Sequence, residues 1–147
     1  MKTQGGFLIS RVHQLQGRAF GRLLKESGVE AFNGAQGRIL YVLWEHERLT
    51  ITQIGLLTSL AKTTLTSMLD RMEESGLIVR VPDKNNRRQI LVSITDKARA
   101  CREDYDRVSE RMNGLFYTGF TKTEIRDFER TLERLIANLE EEERTSL

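Results

Sequence analysis

The sequence predicts a mainly α-helical chain of the α+β class, in which several helices accompany one short β-hairpin. Three observations support this class. Apolar residues recur at helical spacing through most of the 147 residues. Sequences typical of helix N-termini occur three times. Two short runs rich in β-branched residues lie between residues 77 and 94.

Four helices are predicted ahead of the hairpin, each from an apolar stripe and a boundary residue. They cover residues 6–26, 33–47, 50–58 and 62–74. The first ends at Gly28, and the next two begin with capping boxes in which Asn33 precedes Gln36 and Thr50 precedes Gln53. A break of three or four residues separates the third and fourth helices, which is the spacing of a helix-turn-helix.

The hairpin is predicted from two strands, at residues 77–81 and 89–94, that flank the polar loop Asp83–Arg88. Pro82 is expected at the edge of this loop, where its missing N–H costs no strand pairing. Helix, turn, helix and then a hairpin with a basic tip together predict a winged helix-turn-helix DNA-binding domain. We assign residues 33–98 to it.

Two long helices are predicted after the hairpin. One begins at Thr95-Asp96 and carries an apolar stripe to Phe116, and the other begins at the capping box Thr121–Glu124 and frays over residues 140–143. So small a chain cannot cover these stripes alone, so we expect residues 1–32 and 99–147 to form a helical dimerisation domain. The expected interface residues are apolar: Phe7, Leu8, Val12, Phe128, Leu132, Leu135, Ile136 and Leu139.

Charge is distributed unevenly along the chain. Residues 48–95 contain seven basic and four acidic side chains, a net charge of +3, whereas residues 121–147 contain five and eight, a net charge of −3. A basic middle can face phosphates while an acidic end stays away from the polyanion. Basic side chains that only solvate helix faces would give the same counts, so charge alone leaves both interpretations open.

The fourth predicted helix carries many hydroxyl side chains in its first turns. Such side chains compete with the backbone for hydrogen bonds and lower helix propensity, so their concentration favours a functional role. Short donors and cations near a helix N-terminus can approach base edges and phosphates closely. We therefore expect double-stranded DNA to be contacted by Lys62, Thr63, Thr64, Thr66, Ser67, Arg71, Lys84, Arg87 and Arg88.

An enzyme is not expected, because the sequence lacks a catalytic constellation. His13 and His46 are the only histidines, neither has a cysteine or carboxylate at metal-ligand spacing, and no glycine-rich phosphate loop occurs. No catalytic residue, metal or cofactor is therefore predicted. Cys101, the single cysteine, shares an apolar stripe with Ala98 and Tyr105, so we expect a buried thiol without a redox role.

Cellular location is predicted from two features. No apolar segment approaches the roughly 20 residues of a membrane span, and the N-terminus lacks the pattern of a signal peptide. A single cysteine also fits a reducing compartment. We therefore expect a cytoplasmic protein that does not bind membranes.

Two segments resemble the multiple antibiotic resistance regulator (MarR) family of bacterial winged-helix transcription factors. Leu69–Ile78 (Leu-Asp-Arg-Met-Glu-Glu-Ser-Gly-Leu-Ile) is similar to the helix end that precedes a glycine in that family, and Asn86-Arg87-Arg88 followed by Val92–Thr95 is similar to its wing. In element order the resemblance covers essentially the whole chain. The sequence departs from the family pattern at four positions. It has Gly55 where alanine is common, Ala61 where serine is common, Ser67 where arginine is common and Asn86 where aspartate is common.

The resemblance implies a homodimeric transcriptional regulator whose recognition helix starts near Lys62 and whose Arg88 enters the minor groove. A two-fold dimer in turn predicts a palindromic operator. The resemblance also implies a repressor or activator whose DNA affinity falls when a small aromatic or phenolic ligand, an oxidant or a metal binds between the two regions. The candidate ligand-binding residues are Gln14, Arg18, Arg38, Tyr41 and Tyr105.

Two alternatives stay open at this point. The candidate ligand-binding side chains are equally explained as polar groups of the core or interface. The fold itself does not dictate function, so the second alternative is a winged-helix protein-interaction module, such as an antirepressor or adaptor, without DNA binding.

Overall fold

The computed structural model describes residues 1–29 and 34–146, which contain seven helices and three strands. The helices are α1 (Gly5–Glu26), α2 (Gly34–His46), α3 (Ile51–Thr58), α4 (Lys62–Glu74), α5 (Asp96–Ala100), α6 (Arg102–Phe116) and α7 (Lys122–Ser146). The strands are β1 (Arg48–Thr50), β2 (Ile78–Asp83) and β3 (Asn86–Ile94). The chain divides into two compact units, Met1–Met112 and Asn113–Leu147.

The predicted helix-turn-helix is confirmed as α3 and α4. Its start is fixed by a complete capping box, in which the Thr50 hydroxyl accepts the Gln53 N–H at 3.1 Å and the Gln53 side chain accepts the Thr50 N–H at 2.9 Å. The turn uses a left-handed residue, Ser59, with φ of 59°. The capping role predicted for Asn33 at the start of α2 lies outside the described residues.

The sheet has one strand more than the sequence predicts. Its order is β1-β3-β2, and both pairings are antiparallel. The unpredicted strand β1 is three residues long and places the buried Leu49 opposite Val92 of β3. So short a segment shows no alternation of its own, because its pairing depends on a strand about forty residues later in the chain.

The hairpin is longer than predicted, which corrects the position of the wing arginines. Strand β2 continues through Pro82 to Asp83 and β3 begins at Asn86, so the turn contains only Lys84 and Asn85. Arg87 and Arg88 therefore lie in β3 and not in the loop. Pro82 is tolerated inside β2 because β2 is an edge strand of the sheet.

The first unit has one apolar core, to which α2, α4, the sheet and α6 contribute. The ring of Tyr105 lies 5.5 Å from that of Phe20 and 5.1 Å from that of Trp44, measured between centroids. The indole of Trp44 donates to the Ala98 carbonyl at 2.9 Å, which ties α2 to α5. The fully buried large side chains are Ile39, Leu40, Leu43, Ile54, Leu69, Met72, Ile78, Val92 and Val108.

The single helix predicted from Thr95 to Phe116 is interrupted at Cys101. There the backbone N–H bonds to the Ala98 carbonyl at 3.2 Å, a three-residue closure that ends α5 before α6 begins. The Cys101 thiol packs against the core but is only half-buried, and it donates to the Lys97 carbonyl at 3.3 Å. The expectation of a fully buried thiol is therefore wrong in degree.

The second unit contains the end of α6 and all of α7. Aromatic rings of Phe116, Tyr117, Phe120 and Phe128 contact one another within it. The predicted capping box is confirmed, because the Thr121 N–H donates to Glu124 at 3.0 Å and the Glu124 N–H donates to Thr121 at 3.1 Å. The backbone hydrogen bond with Thr121 lowers the pKa of the Glu124 carboxyl.

Helix α7 is also longer than predicted, because it continues to Ser146 instead of fraying over residues 140–143. Hydrogen bonds between side chains one turn apart support this last segment. Arg144 pairs with Glu141, and the Ser146 hydroxyl donates to Glu142 at 2.6 Å. None of the described residues of α7 is buried.

Candidate nucleic-acid interface

The side chains predicted to contact DNA are all exposed, and all belong to the first unit. Helix α4 buries Leu65, Leu69 and Met72 against the core. This apolar stripe fixes the rotation of the helix, so its polar side faces outward. The outward side presents Lys62, Thr63, Thr64, Thr66, Ser67 and Arg71, and the hairpin presents Lys84, Arg87 and Arg88.

The hydroxyl groups of α4 fall into two classes. Thr66 donates to the Lys62 carbonyl at 2.9 Å, so its proton is already used within the helix. The hydroxyls of Thr63, Thr64 and Ser67 make no hydrogen bond to any of the described residues. These three groups can therefore donate to base edges or phosphates without breaking an internal bond.

The N-terminus of α4 lacks a side-chain cap. Ala61 occupies the cap position, and no side chain accepts a first-turn N–H from it. Losing a cap typically costs about 1 kcal/mol of stability. Without a cap, the first-turn N–H groups of α4 have no side-chain acceptor among the described residues. Because they lie at the positive end of the helix dipole, they can donate to a phosphate oxygen.

The two strands of the hairpin change register at the arginines. Pro82 pairs with Ile90, but the next pair is Asp83 with Asn86. The intervening residues Arg87–Gln89 therefore form a bulge, a feature that twists a strand and redirects its side chains. The regular alternation of strand side chains is interrupted there, so the directions of Arg87 and Arg88 are set by the bulge.

Local hydrogen bonds hold the tip of the hairpin. The Asp83 carboxylate accepts the Asn85 N–H at 2.9 Å, and the Asn86 side chain accepts the Arg88 N–H at 3.1 Å. Asn86 is the position at which the sequence departs from the aspartate of the resembling family. The amide oxygen of Asn86 accepts the backbone N–H of Arg88. Asparagine in place of aspartate therefore still provides a hydrogen bond that orders the wing.

Arg80 joins the wing to α4, and sequence reasoning counted it only as a charge. Its guanidinium pairs with Asp70 and lies 3.5 Å from Glu73, so a strand β2 residue bridges two carboxylates of α4. A signal was available in the sequence. Arg80 is two residues after the buried Ile78, which places it on the same strand face, where a charged side chain needs a partner.

The C-terminal end of α4 is also anchored. The Thr95 hydroxyl donates to the Gly76 carbonyl at 2.7 Å, and the Lys97 ammonium donates to the Ser75 carbonyl at 2.6 Å. Gly76 adopts φ of 77°, which lets the chain turn into β2 without steric cost. The C-terminal half of α4 is thus fixed relative to the sheet that carries the wing.

The candidate ligand-binding side chains are in different environments. Gln14, Arg18, Arg38 and Tyr41 are exposed, whereas only 8% of Tyr105 is accessible. Burial raises the pKa of the Tyr105 phenol, and the positive charge of Arg38 acts in the opposite direction.

The apolar residues predicted at a dimer interface are mostly exposed in the single chain. Phe7 on α1 and Leu139 on α7 are each 66% accessible, and Leu132 is half-buried. Large apolar side chains exposed in a row mark an interaction surface. Within the described residues there is no group of three or more potential metal ligands, and none of the described helices could cross a membrane.

Known proteins resemble the chain in sequence. The MarR family model matches residues 32–90. The HTH-type transcriptional regulator TtmR of Methylorubrum extorquens (strain PA1) is 36% identical over 110 residues, which are 75% of this chain and 54% of TtmR. The organic hydroperoxide resistance transcriptional regulator of Bacillus subtilis (strain 168) is 42% identical over 64 residues, 44% of each chain. The chain thus spans about half the length of these two relatives.

The structure also resembles solved ones. A cysteine-to-serine mutant of MarR from E. coli, crystallised with operator DNA, has a TM-score of 0.77 and 25% sequence identity. The similarity covers 88% of this chain and 91% of that one. The chain is therefore similar to MarR-family regulators: the family model matches its winged-helix region, and the solved structure matches most of its length.

Proposed function

We propose that the protein is a sequence-specific regulator of transcription that binds double-stranded DNA as a homodimer. One observation carries the proposal. The free hydroxyls and cations of α4 and the arginines of β3 are exposed on the same compact unit, and the C-terminal half of α4 is held to strand β2 and to the residues that follow β3. The names of the relatives, which describe transcriptional regulators, support the same function.

The roles of the individual residues follow from groove dimensions. The major groove of B-DNA admits an α-helix, and the minor groove admits a narrower element such as an arginine side chain. Thr64 and Ser67 are suited to base edges, because their hydroxyls are free in the described structure. Lys62 lies at the helix N-terminus, where it can meet a phosphate, and Arg88 is the side chain proposed for the minor groove.

A homodimer accounts for the exposed apolar residues of the terminal helices. Side chains such as Phe7, Leu8, Leu135 and Leu139 are each at least 41% accessible, and a second copy can cover them. A two-fold dimer presents two copies of α4. It therefore requires an operator with two inverted half-sites about 10 base pairs apart, or a multiple of that distance.

A winged helix that binds only protein would also expose apolar side chains. It would have no requirement for unpartnered hydroxyls at the start of α4 or for two adjacent arginines in the wing. The structure of E. coli MarR with operator DNA, which resembles this chain, adds support for the DNA-binding function. DNA binding is therefore the better-supported of the two functions.

We further propose a repressor that releases DNA when a small aromatic or phenolic acid binds near Tyr105. The half-buried Phe20 ring and the buried Trp44 ring both pack against Tyr105, and Arg38 of α2 is an exposed cation that an aromatic carboxylate could meet. Salicylate is a suitable probe. It should lower operator affinity of the wild type and should have less effect on Arg38→Ala, whereas an equal effect on both would remove Arg38 from the site.

Selection from random duplex DNA tests the proposed function. The purified chain should enrich an inverted repeat, and the Thr64→Ala and Ser67→Ala variants should enrich altered half-sites. Each lost base contact should reduce discrimination by about 1–3 kcal/mol. Thr52→Ala is a matched control, because Thr52 is exposed on α3 and lies outside the proposed interface. Absence of any enriched sequence would contradict DNA recognition.

A further inference from the structure

Helix α4 carries a charge pattern that conflicts with DNA binding. Its cations are Lys62 and Arg71, whereas Asp70, Glu73 and Glu74 are anionic. The carboxylates are grouped in the C-terminal half of the helix, where they would repel phosphates. A purely electrostatic account of DNA binding gives no reason to keep them.

Two of these carboxylates share one partner. Arg80 pairs with Asp70, and its Nε lies 3.5 Å from Glu73. The Arg80 side chain is 22% accessible, so it is the most enclosed member of the group, while Asp70 is 61% accessible. Nε itself is buried and makes no formal hydrogen bond to the described residues. The arginine is therefore committed to α4 and is poorly placed to reach DNA.

The strand that carries Arg80 is connected to the wing arginines through the sheet. Arg80 lies opposite Val92, and Val92 belongs to the same strand as Arg87 and Arg88. The ion pairs thus join the helix proposed for the major groove to the strand proposed for the minor groove. β2 is an edge strand, so it has only one strand neighbour to fix its position.

We infer that Arg80, with Asp70 and Glu73, is a positioning group that fixes the wing relative to α4, so that both reach DNA in one geometry. The inference rests on the proposed function and adds to it a residue that acts without touching DNA. Pre-positioned contacts bind more tightly because less conformational freedom is lost on association.

The test uses a variant for which a purely electrostatic role and a positioning role predict opposite changes in DNA affinity. Asp70→Asn removes a negative charge near the phosphates, so a charge account predicts tighter binding to the selected duplex. Loss of the positioning contact predicts weaker binding, by about tenfold, which corresponds to the usual interaction energy between two contacting residues. Glu74→Gln is the matched control, because Glu74 is exposed on the same helix and makes no ion pair with the described residues. It should bind DNA at least as well as the wild type.

The same titrations with Arg80→Gln separate positioning from phosphate contact. Removal of a positioning residue should lower the affinity for DNA but leave the slope of log affinity against log salt unchanged. Removal of a phosphate contact should instead reduce that slope by about one. The double variant Asp70→Asn/Arg80→Gln should bind no worse than the weaker single variant. Tighter binding by Asp70→Asn, a reduced slope in Arg80→Gln or additive losses would each overturn the inference.

Hydrogen exchange on the free protein distinguishes failure of this inference from failure of the proposed function. Amides of β2 and β3 near the turn should exchange faster in Asp70→Asn and Arg80→Gln than in Glu74→Gln, with melting temperatures close to the wild type. Unchanged exchange would overturn the positioning role even if the wild type binds DNA. If the wild type binds no DNA while the Asp70→Asn and Arg80→Gln variants show the faster exchange, only the proposed function is refuted.

Discussion

Gly37 is the point at which the phenol of Tyr105 comes closest to α2. A Cβ atom at this position would lie 2.4 Å from the Tyr105 hydroxyl oxygen and 3.2 Å from the ring carbon that carries it. No side chain, not even a methyl group, fits this space. Sequence periodicity places Tyr105 on an apolar stripe but cannot reveal the glycine opposite it, because that contact joins residues far apart in the chain.

Gly37→Ala should therefore destabilise the protein by about 1–3 kcal/mol, the usual cost of overpacking a core. Chemical denaturation measures the change. Gly34→Ala on the same helix is the matched control, because a Cβ there would have no described atom within 4 Å. Combining Gly37→Ala with Tyr105→Phe removes the clashing oxygen and should recover part of the loss. A neutral Gly37→Ala would contradict the packing.

Tyr117 provides a pH-dependent prediction in the second unit. Burial and the 2.8 Å hydrogen bond to Glu129 raise the pKa of Tyr117 from 10.0 to about 12. The folded state holds the phenolic proton more tightly than the unfolded state. The resulting stabilisation is complete below pH 10.0 and is lost as the pH rises towards 12.

Glu129→Gln should lower the pKa of Tyr117, because the amide removes the negative charge that opposes the phenolate. Ultraviolet titration of the phenolate measures this, and subtraction of the Tyr117→Phe curve isolates the signal of Tyr117. Glu133→Gln provides a control on the same helix, four residues further on. An unchanged Tyr117 titration in Glu129→Gln would show that the hydrogen bond does not form in solution.

At the scale of the elements, features that depend on neighbouring residues could be predicted from the sequence, whereas pairings between distant segments could not. The helix capping boxes at Thr50 and Thr121 were predictable because each depends on residues three positions apart. Strand β1 was missed because its partner β3 is distant. The limits of the wing were wrong because they depend on the bulge at Arg87–Gln89, which strand composition does not reveal.

The wing carries two adjacent arginines. Because the minor groove is narrow, we expect only one of Arg87 and Arg88 to enter it and the other to meet a phosphate. Arg88→Ala should weaken operator binding and reduce the slope of log affinity against log salt by about one, while leaving dimerisation and melting temperature nearly unchanged. Arg87→Ala should have a smaller effect. Fluorescence anisotropy over a range of salt concentrations measures both, and an Arg88→Ala variant identical to wild type would exclude the wing from the interface.

At the scale of the whole molecule, the sequence predicted the winged-helix fold and the exposure of every proposed DNA-contacting side chain. The spacing of Arg80 from Ile78 indicated that its side chain needs a partner, but its partners on α4 were not predictable, because ion pairs between a helix and a strand leave no periodic signal. The proposed dimer interface had a clear sequence signal in the apolar stripes of the terminal helices. The exposed apolar residues of α1 and α7 fit that prediction.

Leu135→Asp should convert the dimer to monomers or make the chain insoluble, because it places a charge among the exposed apolar residues of α7. Sedimentation analysis measures the mass in solution. Arg134→Asp is the matched control, since it introduces the same side chain one position away at an exposed polar residue. A soluble, fully dimeric Leu135→Asp would exclude this face of α7 from the interface.

Binding stoichiometry on the selected operator tests the central proposal most directly. Sedimentation of the complex, together with affinities for the full inverted repeat and for a duplex with one scrambled half-site, gives both the mass and the contribution of each half. A dimeric regulator should place two chains on one duplex and lose at least about a hundredfold in affinity when one half is scrambled, since several base contacts of about 1–3 kcal/mol disappear together. One chain per duplex with equal affinity for both DNAs would contradict the proposal.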